Sequence, residues 1–259
     1  MLILLPPSEG KSAPRRGKPL DLARLDFTEL TGARETVVDA LVEACHQHPE
    51  LAAKALGLGP TQAEHVTANT LLRTSPASRA DRIYTGVLYD ALGLATLEGP
   101  ARTRATRWLA IMSSVFGVVR PNDPIPAYRL SGDTNLPGLG TVSSFWRDHL
   151  DEVLSPAAGT GLVVDLRSGT YAGFWRPPAA IGRKVATLRV LHEVGDQRKV
   201  VSHFNKATKG RIVRDLLVDG GRPRNPAALA EHLTGLGWHV EAHDPTPTGQ
   251  QLDVVVREL

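Results

Sequence analysis

The chain opens with an apolar run, Met1 to Leu5, that stops at Pro6-Pro7 and passes into the polar loop Ser8-Glu9-Gly10-Lys11. A short apolar run bounded by turn residues predicts a buried strand. Residues 33–57 place Val37, Val38, Leu41, Val42 and Cys45 at helical spacing; Pro49 breaks the run and starts a second short helix, which Gly57 closes. Helical patterns also begin near Pro60 and cover Gly86 to Leu92. The pattern then changes. WLAIM (108–112) predicts a buried strand running into Ser113-Ser114, and a long loop with four prolines (121–140) follows. TVSSFWRDHLDEVL predicts one amphipathic helix, and GLVVDL a strand ending at Arg167, Ser168, Gly169 and Tyr171. ATLRVLHEV and KVVSHF predict a hairpin across Gly195-Asp196; helices over KATKGRIVRDLLV and ALAEHLTGLGW and a final strand, LDVVVREL, complete the chain.

Helices and strands alternate without a break in composition. The reading is one mixed α/β (α+β) domain over residues 1–259: a central, mostly buried mixed sheet, helices packed around it, and strand-end loops forming a basic cleft. Apolar content is 42% and charged content 22%, an ordinary globular balance. No apolar run reaches the roughly 20 residues that span a bilayer, and MLILLPP lacks a signal-peptide layout, so a cytoplasmic protein without membrane contact is expected. The single cysteine, Cys45, excludes a disulfide framework.

Net charge is +3 and the pI about 9.2, which permits an anionic partner. The basic residues cluster at Lys11 to Lys18, at Arg102 to Arg107 and at Lys206 to Arg214. LPPSEGKS matches the second half of a phosphate-binding P-loop, but Leu5 replaces its first glycine and Pro6 and Pro7 remove two N–H donors. Pro14, Gly17 and Pro19 leave no room for the helix that a P-loop needs behind its lysine. The loop is read instead as a polar strand end, alike to those after LVVDL and after VVSHF, with WLAIM as a fourth. If these strands are parallel neighbours, Lys11, Ser168, Lys206, Lys209 and Arg211 gather at one rim. Arg120, Tyr128 and Arg129 flank the proline-rich loop, either as anion contacts or as ties holding it to the body.

Six segments in order, MLILLPPSEGK, YTGVLYDAL, SSVFGVVRPNDPIPAYRL, FWRDHL, VVDLRSGTY and FNKATKGRIVRDLL, resemble the bacterial peroxide stress protein YaaA family along nearly the whole chain. The entry loop departs from the family, reading SEGKS where some relatives carry SPAKT. The resemblance implies a peroxide and oxidative stress response, limiting iron-mediated damage, with DNA bound through a positively charged cleft and a helix-hairpin-helix element. It implies no particular reaction. The anion- or DNA-binding candidates are Ser8, Lys11, Arg120, Tyr128, Arg129, Lys206, Lys209, Arg211 and Arg214. Gly138-Leu139-Gly140 and Gly210 are the two candidate phosphate-contacting turns. The partner is then duplex DNA, read with little sequence specificity.

The residues themselves support a second reading, an enzyme acting on a phosphorylated or nucleotide-like small molecule. Its catalytic candidates are Lys11, Ser168, Tyr171 and Lys206. A deep pocket with a lysine of depressed pKa favours that reading, whereas a broad shallow groove favours DNA. His239 and His243 bracket Glu241 on a predicted strand, too far apart to chelate together, so no metal and no cofactor are expected.

Overall fold

The computed structural model describes residues 1–195, 197–199 and 202–257. Its centre is an eight-stranded mixed sheet. In chain order the strands are β1 (Leu2–Leu5), β2 (Leu109–Ser113), β3 (Gly117–Val119), β4 (Val163–Asp165), β5 (Val185–Val194), β6 (Gln197–Lys199), β7 (His239–Ala242) and β8 (Gln250–Val256). They lie side by side as β7-β8-β5-β4-β1-β2-β3, with β6 also paired to β5. The middle five, β8, β5, β4, β1 and β2, are parallel; β3, β6 and β7 add antiparallel edges.

β1 is an interior strand, with Ile3 opposite Leu109 on one side and Val164 on the other. All four of its residues are buried. An unbroken apolar run, without alternation, is what a parallel strand covered on both faces requires. The helices that matter below are α1 (Thr31–Gln47), α2 (Pro49–Ala55), α3 (Val87–Leu92), α4 (Gly99–Trp108), α5 (Val142–Arg147), α6 (Asp151–Ala158), α7 (Ser202–Asp219) and α8 (Pro226–Gly235). α4 packs on β1 and β2, and α7 packs on α3, α4 and β5.

Two expectations need correction. The stretch SHF is the start of α7, so the polar residues after it leave a helix and no strand end. Val200 and Val201 of the expected strand KVVSHF lie outside the described residues; the run is too short for its period to decide, and the apolar stripe of Ile212, Val213, Leu216 and Leu217 decides for the helix from Ser202 on. The single helix over 141–154 is two, α5 and α6. The His149 ring nitrogen Nδ1 donates to the Phe145 carbonyl at 2.8 Å, taking the acceptor that a continuing helix needs, and the His149 N–H turns to Trp146 instead. α4 went unread in the sequence, because ARTRATR shows too little apolar periodicity.

Candidate functional site

The chain leaves β1 toward β2 on one side and leaves β4 toward β5 on the other, while β1 and β4 are parallel neighbours. Connections that part in opposite directions open a crevice at the carboxyl ends of the two strands, the usual ligand position in such sheets. A cleft of about 830 Å³ lies there, lined by the loop after β1 (Pro6 to Lys11) and by Ser168, Thr170 and Tyr171 from the loop after β4. Thr85 to Tyr89 at the start of α3, Arg129, Leu130, Ser131, Asp133 and Thr134 of the proline-rich loop, and Lys206 of α7 close its other sides.

Each wall is fixed from behind. Ser8 Oγ donates to the Gly10 carbonyl at 2.6 Å and accepts from the Thr85 N–H at 3.1 Å, tying the β1 loop to the start of α3. Tyr89 adds a hydroxyl bond to the Pro6 carbonyl at 2.6 Å. The β4 loop hangs on Arg167, whose guanidinium forks onto both oxygens of Asp165 at 2.9 and 2.7 Å and reaches the Trp175 carbonyl at 2.9 Å. Buried on both sides, that pair holds Ser168 and Tyr171 in place. The proline-rich loop is pinned by Asn69, which exchanges two backbone bonds with Arg129 at 2.8 and 3.0 Å.

Lys11 sits against the cleft wall over the face of Tyr128, its nitrogen 4.2 Å from the ring centre. Nζ donates to the Ser8 carbonyl at 2.8 Å and to the Glu9 carbonyl at 3.3 Å. Among the described residues no carboxylate comes within ion-pair reach of it. Glu9 instead faces Arg129, 3.8 Å away. Burial, then the nearby Arg129 charge, push the Lys11 pKa down from 10.5 to about 7, with Glu9 opposing. Beneath it the Tyr128 hydroxyl meets Tyr84 at 3.0 Å and Ser113 at 2.9 Å. Burial raises the pKa of both phenols, so they stay neutral. Tyr171 is raised for the same first reason.

A match to the peroxide stress protein YaaA family covers residues 1–243, every cleft residue included. The chain belongs to that family. A UPF0246 protein of Streptomyces coelicolor is 51% identical over 261 residues, 100% of both chains. One of Corynebacterium efficiens is 42% identical over 249 residues, 94% of this chain and 96% of the other. A UPF0246 protein of a Ruegeria species shares 31% over 183 residues, 69% of this chain and 70% of its own. A stress-related role follows from YaaA membership.

Of the sequence candidates in this YaaA-family chain, the cleft gathers Ser8, Lys11, Arg129, Ser168, Tyr171 and Lys206, with Tyr128 directly under Lys11. It does not gather the others. Arg120 donates to the Arg107 and Leu109 carbonyls at 3.2 and 2.7 Å and stacks on Phe27, so it ties the loop to the body. Lys209 donates to the Leu166 carbonyl behind the β4 loop at 3.2 Å. Arg214 caps the last carbonyls of α3, at Leu92 and Gly93. Arg211 is exposed on α7 outside the cleft.

Neither candidate turn forms a helix-hairpin-helix. Gly138 and Gly140, with φ of +73° and +78°, close a small β-hairpin between Asn135–Leu136 and Gly140–Thr141, with no helix before it. Gly210 lies inside α7, where a Cβ would meet the Leu88 carbonyl at 2.3 Å; it lets α7 approach α3. Nor is the cleft uniformly basic, because Glu9 and Asp133 line it beside Lys11, Arg129 and Lys206. His239 faces Glu241, and His243 meets Asp253 at 2.7 Å beside Arg189. Among the described residues no three His, Cys, Asp or Glu side chains gather as a metal site, and no helix is long and apolar enough to cross a membrane.

Sequence reading missed Tyr84, Tyr89, Ser131 and Asp133. A signal existed: the chain has four tyrosines, and all four stand at or under this cleft.

Proposed function

We propose that the chain serves its stress-related role by binding, and acting on, a phosphorylated or nucleotide-like small molecule in the Lys11 cleft. The observation that carries this reading is a lysine amine with no carboxylate partner among the described residues, in a concave site at the switch point of the sheet. The cleft's size suits a ligand of a few hundred daltons. Arg129 and Lys206 supply charge for an anionic group, and Glu9, Asp133, Ser131 and Ser168 supply acceptors and hydroxyls for the rest. A phosphate with a hydrogen-bond-donating body fits that mixture better than a bare polyanion does. Thermal-shift and calorimetric titration with nucleotides and sugar phosphates tests it. Binding by wild type, lost in Lys206→Ala and Arg129→Ala at unchanged folding, is the expected result; no binder among them overturns the reading.

Duplex DNA, bound with limitation of iron-mediated damage, is the second reading. It is supported by net charge +3 and by Arg15, Arg16 and Lys18, exposed just beyond Lys11. It predicts anisotropy of a labelled duplex that falls steeply with salt and weakens in an Arg15→Ala/Arg16→Ala/Lys18→Ala variant. Salt-insensitive or absent binding overturns it.

A further inference from the structure

We propose that the Lys11 amine is a nucleophile that forms an imine with an aldehyde or ketone bearing a phosphate, held in the cleft between the β1 and β4 loops. The proposal rests on the small-molecule reading above and names its substrate class. The amine's hydrogen bonds are the starting point. A neutral amine has two hydrogens and one lone pair, and the Ser8 and Glu9 carbonyls accept both hydrogens. The lone pair is then left for a ligand. A lysine retained for its charge is ordinarily met by a carboxylate, and here Glu9 turns its side chain to Arg129 instead.

The groups facing Lys11 from neighbouring elements favour the neutral form on balance. Arg129 of the proline-rich loop repels a second cation, and Tyr84 and Tyr128 stay un-ionised beneath it; Lys206 of α7 and Asp133 of the proline-rich loop, of opposite charge, also line the cleft. Glu9 is the opposing group. The effect agrees with the direction in which burial moves the amine. A desolvated lysine near another cation is an established way to make this side chain nucleophilic at neutral pH.

The chemistry balances without a co-reactant. The nitrogen lone pair forms a C–N bond to the carbonyl carbon as the C=O π pair moves to oxygen. Proton transfer from nitrogen to that oxygen gives a carbinolamine. The remaining nitrogen lone pair then forms C=N while hydroxide leaves, taking a proton from solvent to become water. The product is a protonated imine, whose positive charge withdraws electrons from the adjacent carbon. Arg129 and Lys206 are placed for the phosphate, which fixes the carbonyl end toward Lys11.

The test uses pyridoxal 5′-phosphate, an aldehyde with a phosphate, as the probe, and pyridoxine 5′-phosphate, its alcohol counterpart, as the control. Whole protein is incubated with the aldehyde, reduced with borohydride, digested and mapped by mass spectrometry. Adduct is expected on Lys11 about a hundredfold above other lysines at low probe concentration, because an ordinary lysine is almost wholly protonated near pH 7. Its yield should rise through pH 7, and the alcohol should bind without giving any adduct. Alcohol binding with adduct spread over exposed lysines overturns the imine and leaves the pocket reading standing. Failure of both compounds to bind, together with no adduct at Lys11, overturns the imine, and the titration with nucleotides and sugar phosphates then decides the pocket reading separately.

Discussion

Replacing Lys11 by methionine removes an ionisable group from the cleft while keeping most of its packing volume. The ordinary lysine pKa of 10.5 applies to the unfolded chain, and about 7 to the folded one. Below pH 7 both states hold the proton, and the fold bears the full cost of a charged amine in its half-buried place. Between pH 7 and 10.5 the unfolded chain binds more protons than the folded one, so stability rises with pH at up to about 1.4 kcal/mol per unit. From pH 7 to 9 the upper limit is about 2 kcal/mol. Solvent reaches Lys11 through the open cleft and screens its charge, so about half of that, ~1 kcal/mol, is expected. Urea unfolding of wild type and Lys11→Met across pH 6 to 9 measures it, because groups that titrate alike in both proteins cancel in the difference. The variant's advantage should be largest near pH 6 and shrink as pH rises. Parallel stability curves would show that Lys11 titrates like any surface lysine, and would remove the physical ground for its chemistry.

Three further substitutions separate scaffold from site. Gly210→Ala drives a methyl into the Leu88 carbonyl and Ala91, and should cost about 2 kcal/mol after the gain in helix propensity, read by chemical denaturation. Ligand binding per folded molecule should not change, whereas a phosphate-contacting glycine would lose it. Arg214→Ala strips two charged bonds from the end of α3 and should cost about 2 kcal/mol with binding intact, by the same denaturation together with calorimetry. Asp165→Asn leaves the buried Arg167 charge without its partner, at a cost of about 3 kcal/mol. Amide exchange should then quicken at Ser168 to Tyr171 before the rest of the chain.

The local pattern was legible where an element's period is long or its punctuation strong. The apolar run Leu2–Leu5, the proline break at Pro49 and the stripe of Ile212 to Leu217 each admit one reading. SHF admitted two, and its helix was set by residues further along the chain. Arg120 illustrates a different limit. Sequence shows an arginine beside a proline-rich loop, but its partners are the backbone carbonyls of Arg107 and Leu109, and only the folded chain places those. Lys209 and Arg214 are alike in this respect; each is bound to backbone carbonyls of a segment distant in sequence.

The sequence alone determined that this is a mixed α/β chain with polar strand ends, and that LPPSEGKS is no P-loop, because prolines and glycines act locally on the backbone that carries them. It also carried the family resemblance, which spans the chain. The tertiary structure decided that β1 and β4 are parallel neighbours with diverging exits, and therefore where the cleft opens. It also decided which basic residues face that cleft and which brace the fold, and that the amine of Lys11 lies over Tyr128, beyond the reach of any carboxylate among the described residues. Strand order and desolvation are properties of contacts between segments distant in sequence, and no local pattern encodes them.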